Sequence, residues 1–160
     1  MNLTALTVPT DYSFTGYKEI DTYNGVAWSA VVKHKGKKVG TVENHGRGGA
    51  DFFHFDSRAH AVAFETEAKA RYGDDAFEPS DLFANDLSTA AQFNKKRVHI
   101  FTVNTDDFDA GNYRVFPAKF PREAVLATLA SDRYAGQNPM LWDKSRSVFV
   151  PVNDVQAGVR

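Results

Sequence analysis

Valine and phenylalanine decide what kind of core this chain can build. Its 160 residues include 16 Val and 13 Phe against only 7 Leu and 2 Ile. Val is stiff at its first side-chain torsion and Phe is broad and flat, so both suit a pleated, half-buried sheet better than a helix face. Sheet is therefore expected to form the larger part of the core. The 20 alanines gather mainly in segments of helical spacing, which predicts Ala-faced helices lying close against that sheet. A chain of this length is expected to fold as one domain that buries about 70% of its unfolded surface. With no cysteine, disulfides, Cys-type zinc sites, iron–sulfur clusters and thiol nucleophiles are all excluded. The 19 basic and 20 acidic residues leave a net charge of −1, which argues against both a histone-like coat for DNA and a whole-molecule acidic mimic of it.

Period-2 patterning predicts strands over Tyr12–Ile20, Ala27–His34, Lys38–Asn44 and Asp51–Phe55. The last three read as an antiparallel meander, because their short connections cannot supply a parallel crossover. Asp56 and Ser57 can cap a helix that ends at Gly73, with Ala61, Phe64, Ala68 and Tyr72 on one face. Pro79 opens a second helix with a stripe of Phe83, Leu87 and Ala90 or Ala91, and Pro121 a third with Val125, Leu126, Leu129 and Ala130 inward. Strand signals return at Arg97–Asn104 and Tyr113–Phe116, and a terminal hairpin turns at Lys144-Ser145-Arg146. The expected class is α+β, an antiparallel sheet with about three helices in the order βββααββαββ. Residues 1–152 are expected to form the domain and 153–160 a frayed tail. No window reaches the roughly 18 to 20 apolar residues of a membrane span, and Met1–Asp11 lacks the basic and apolar regions of a secretory leader. A cytoplasmic protein without a membrane partner is the expectation.

The most distinctive stretch runs from Gly40 through Asn44-His45-Gly46-Arg47-Gly48-Gly49. Clustered glycines let backbone N–H groups converge into a nest for phosphate or carboxylate, and Arg47 would add a forked donor. The same glycines equally suit a plain irregular connection, since glycine enters positive φ without strain. Lys33, Lys35, Lys37, Lys38 and Arg47 against Glu43 give this region +4 (five minus one). With Tyr23, Phe52 and Phe53 nearby, it reads as a phosphate-tracking surface with stacking platforms. The helical segment is of opposite sign, −5, from Glu65, Glu67, Asp74, Asp75, Glu78, Asp81 and Asp86 less Lys69 and Arg71 (seven minus two). That is the pattern of a solvated helix face or of a docking surface for a basic groove.

The basic hairpin leading into Val42-Glu43-Asn44-His45-Gly46-Arg47-Gly48-Gly49 and an aromatic strand resembles a loosely defined group of small phage and bacterial proteins. Their turn commonly reads Asn-Asp-Gly-x-Gly-Gly, and here His45 stands where Asp is more usual. The likeness covers the first third of the chain. It implies a phage or mobile-element origin, and with it a host-takeover factor or an inhibitor of bacterial defence, but brings no catalytic residues. A second likeness is to two-histidine phosphoesterases, through His54-Phe55-Asp56-Ser57 and His99-Ile100-Phe101-Thr102. Each has one residue too many between histidine and hydroxyl, which turns the hydroxyl to the other face of a strand.

The expected function is thus a non-enzymatic binding module with neither cofactor nor metal. Its contact residues would be Lys35, Lys37, Lys38, Asn44, His45, Arg47, Gly48 and Gly49. A host or phage protein and a nucleic acid stand as equal alternatives for the partner. The rival expectation is a small phosphoesterase or nuclease using His54 and His99.

Overall fold

In the computed structural model, which describes residues 3–156, four strands follow one another as an antiparallel meander. They are β1 (Tyr12–Thr22), β2 (Gly25–His34), β3 (Lys37–His45) and β4 (Phe52–Phe55), in spatial order β1-β2-β3-β4. Two helices follow, α1 (Arg58–Tyr72) and α2 (Pro79–Lys95). The second half holds β5 (Val98–Thr102), β6 (Arg114–Pro117), α3 (Arg122–Leu129), β7 (Met140–Asp143), β8 (Val148–Pro151) and α4 (Val152–Gln156). Its strands form another antiparallel sheet in the order β6-β5-β7-β8. The protein is therefore α+β, with two sheets where one was expected and one strand more in the first half. Tyr12–Thr22 is a full member of the first sheet and not an outlier to a three-stranded meander.

The chain divides into two compact units, Thr10–Gln92 and the remainder on either side of it. In the first unit, Tyr12, Phe14, Tyr17, Ala30, Val32 and Val42 turn one face of the sheet toward Phe64 and Ala68 of α1 and Phe83, Ala84 and Leu87 of α2. The helix starts follow local chemistry. Ser57 is extended and its hydroxyl accepts the His60 N–H, which satisfies one of the free donors at the start of α1. Gly73 closes α1 at φ +92, donating its N–H to the Lys69 carbonyl. In the second unit Phe101, Val103, Val125, Leu129, Tyr134, Leu141 and Val152 form the core.

Two details depart from the sequence expectation. Residues 153–156 belong to a short helix, α4, because Val152 is fully buried and its N–H is taken by the Pro139 carbonyl; the rest of the expected tail lies outside the described residues. Ala130 is exposed, since α3 stops at Leu129 and the chain turns away.

Candidate functional site

The glycine loop and the basic turn sit at opposite ends of one strand. The β2–β3 turn is made by Lys35 and Gly36, at φ +49 and +76. Lys35 donates its N–H to the Asp11 carbonyl, and its ammonium lies 3.9 Å from the Asp11 carboxylate. Strand β3 then runs for 9 residues before Gly46, which at about 3.3 Å per residue is about 30 Å. Lys35, Lys37 and Lys38 are thereby separated from Asn44, His45, Arg47, Gly48 and Gly49. A charge sum over neighbouring positions in a sequence merges what an extended strand holds apart.

The loop itself is closed by its own side chains. The Asn44 carbonyl oxygen Oδ1 accepts the Gly46 N–H at 2.8 Å, while its Nδ2 donates to the Gly49 carbonyl at 3.2 Å and to Asp51 Oδ1 at 2.8 Å. Thr22 Oγ1 donates to the carbonyls of Gly25 and Gly46. Asn44 is thus a structural clamp. From α2, Asp81 accepts the Asp51 N–H at 3.0 Å. Burial pushes the Asp51 carboxyl up to about 6; the Asn44 bond opposes this, and the charges of Asp81 and Glu78 add to it. Arg47 therefore stands on a loop backed by carboxylates from another element, and the positive sum of the segment is offset there.

This acidic backing has a measurable consequence. Asp86, in α2, is likewise raised to about 7 by burial, against the Arg71 charge, and accepts a hydrogen bond from the Tyr72 hydroxyl. Both folded-state values exceed the ordinary carboxyl value of about 4, so between roughly pH 4 and 7 the folded chain binds more protons than the unfolded one. Stability should then rise as pH falls from 8 to 5, the reverse of an ion-paired carboxylate. A rise in melting temperature of at least about 3 °C is expected. The double variant Asp51→Asn, Asp86→Asn should lose that rise; if it keeps it, other groups control the pH response.

The face of the first sheet turned away from the helices is solvent-exposed and chemically mixed. Cross-strand register sets Lys33 directly opposite Lys38, Thr15, Val31, Thr41 and His54 in one row, Lys18, Ser29, Glu43 and Phe52 in the next, and Ile20, Ala27 and His45 beyond it. Phe52 is 50% exposed, and the His45 ring stacks on it at 4.9 Å between centroids and 21° between planes. Glu43 Oε1 lies 3.3 Å from His45 Nε2 and 3.6 Å from His54 Nε2. A shallow depression of about 370 Å3 runs over Lys18, Ile20, Ser29, Glu43 and His45. By contrast, Phe53 and Phe55 face inward and pack on the core, and Tyr23 is fully exposed at the β1–β2 turn.

Of the eight expected contact residues, only Lys38 and His45 lie on this face, together with His54 of the rival reading. Lys18 was missed because plain alternation from Tyr12 and Phe14 would send it inward. Gly16, at φ +62, breaks the register between Thr15 and Lys18, so that Tyr17 enters the core and Lys18 turns out. A glycine inside a strand is the one local sign of such a bulge. His54 lies in the first unit beside Glu43; His99 lies in the second, its Nε2 donating to the Phe120 carbonyl at 2.7 Å. Among the described residues no cluster of three or more His, Asp or Glu side chains is placed to hold a metal ion. No helix among them is long and apolar enough to cross a membrane. Compared with protein families, curated proteins and solved structures, the chain finds no match.

Proposed function

We propose that this chain is a non-enzymatic binding module whose first unit holds a single-stranded nucleic acid across the uncovered face of β1–β4. The observation that carries this reading is the pairing of chemistries on that one face. Lys33 and Lys38 are cross-strand neighbours of like charge, an arrangement that destabilises a sheet unless an anion bridges it. Further along, the half-exposed Phe52 with His45 stacked on it supplies an aromatic platform of the kind on which bases stack without sequence preference. Phosphates at the lysine end and bases at the aromatic end suit an unpaired strand, whose bases are free to leave their own stack.

Fluorescence anisotropy of a labelled mixed-sequence single strand, titrated at several salt concentrations, tests this. Phe52→Ala should weaken binding by about fivefold or more, since a stacked base contributes about 1–3 kcal/mol. The double variant Lys33→Ala, Lys38→Ala should flatten the slope of log affinity against log salt by about 1.4, at about 0.7 per lost phosphate contact. Absence of binding at low salt, or unchanged affinity in Phe52→Ala, would overturn the nucleic-acid reading. Protein capture that is lost in the same variants would replace it with a protein partner.

A further inference from the structure

The second unit holds a cleft that the sheet-face reading does not use. Strands β5 and β7 pair only through Phe101–Leu141 and Thr102–Met140. Carried one and two residues further, that ladder would set Ile100 against Trp142 and His99 against Asp143, but there the strands part. The opening, about 670 Å3, is lined by Arg97 and His99 at the start of β5, Arg122 in the first turn of α3, and Asp143, Lys144 and Ser145 at the end of β7 and the turn beyond it.

Three permanent cations face one carboxylate here, +2 in all (three minus one). None of the three takes part in an ion pair found among the described residues. Asp143 is engaged in building its own turn, where Oδ1 accepts the Ser145 N–H at 2.9 Å, the Ser145 hydroxyl at 2.6 Å and the Arg146 N–H at 3.3 Å. Burial disfavours its charge, yet these bonds and the nearby Arg122 outweigh burial and hold the carboxyl below the usual range. The cations keep donors in reserve. Arg122 uses Nη1 on the Trp142 carbonyl, and Lys144 gives a bond to the Lys96 carbonyl, but a guanidinium carries five N–H donors and an ammonium three. Arg97 is exposed at the rim. Two planar forks and a point charge gathered over a net +2 match a tetrahedral dianion better than a single carboxylate.

We propose that the cleft between β5 and β7 binds a phosphoryl group, held by Arg97, Arg122 and Lys144. The group could come from a small phosphorylated molecule or from the 5′ end of a nucleic-acid strand, and the two sources separate by experiment. Two-dimensional NMR of the whole chain, titrated with inorganic phosphate and with a nucleoside 5′-monophosphate, should show saturable shifts of the Ile100, Lys144 and Ser145 amides. Arg97→Ala and Lys144→Ala, both at exposed positions, should melt like the parent and bind each ligand about tenfold more weakly. Arg122→Lys keeps the charge but loses the fork, and should weaken binding while leaving the fold intact. A 5′-phosphorylated strand that outcompetes its 5′-hydroxyl counterpart at this cleft assigns the group to a strand end; equal competition assigns it to a small molecule. Phe52→Ala, on the other unit, should leave these shifts unchanged even if the sheet-face reading fails. The proposal is overturned if phosphate produces no saturable shift at these amides, if chloride at equal ionic strength reproduces it, or if folded Arg97→Ala and Lys144→Ala bind as the parent does.

Discussion

Gly46→Val is expected to leave the first unit unfolded, whereas Gly48→Val, two residues away, should give a folded and only modestly weakened protein. Both glycines lie at positive φ, +69 and +76. A side chain in that region costs about 1–2 kcal/mol for an L-residue and more for a β-branched one. Surroundings separate the two. A Cβ on Gly46 would stand 2.6 Å from the Ala27 nitrogen, 2.8 Å from the Val26 carbonyl carbon and 3.0 Å from Thr22 Oγ1, whereas a Cβ on Gly48 would meet nothing within 4 Å. The atoms crowding Gly46 are chiefly backbone of β2, which cannot move aside without breaking the β2–β3 ladder. Strain and overlap together should exceed about 4 kcal/mol, a large part of the 5–15 kcal/mol that holds a domain folded. Gly40 is tight for a related reason, with a Cβ there 2.6 Å from the His54 carbonyl oxygen and 2.9 Å from Phe55 Cα. Urea melts followed by circular dichroism on the two valine variants decide the point: equal midpoints would mean that the loop does not close on β2 as described.

Phe64→Ala should cost about 3–5 kcal/mol, the loss typical of a large aromatic removed from a closed core. Phe64 is fully buried, and its ring lies 5.1 Å from Tyr12, edge-on, and 5.0 to 5.4 Å from Phe53, Phe55 and Phe83. It is where α1, α2, β1 and β4 meet, so a truncated side chain leaves a cavity with walls on every side. Phe64→Leu restores most of the volume and should recover about half of the loss or more. The comparison with Phe52→Ala separates core from binding surface within one residue type. Phe52 is half-exposed, and its removal should shift stability by less than about 1 kcal/mol while weakening single-strand binding. Equal destabilisation by the two alanine variants would place Phe52 in the core and end its role as a platform.

Several parts of this fold are legible in the sequence because they rest on neighbours along the chain. The Ser57 cap, the Gly73 stop, the Pro79 start, the turn at Lys35-Gly36 and the terminal hairpin involve contacts a few residues apart. The inward stripe of Phe64, Ala68, Phe83 and Leu87 follows from helical period alone.

What governs the candidate sites is non-local. The bulge at Gly16 shifts register by one, and with a side-chain period of two that reverses the face of Lys18. The lysines and Arg47 read as one patch in sequence, but the length of β3 divides them. Asp81 reaches the loop from a helix 30 residues on and meets Asp51 there. Arg97, Arg122 and Lys144 come from separate elements and share a cleft only because β5 and β7 stop pairing after Phe101 and Leu141. The sequence by itself determined the α+β class, the order of most elements and their apolar faces, since hydrophobic period and caps act locally. Which charges stand together, and which face is left uncovered, was decided by tertiary structure, because electrostatic sums and strand register depend on distance through space and not along the chain.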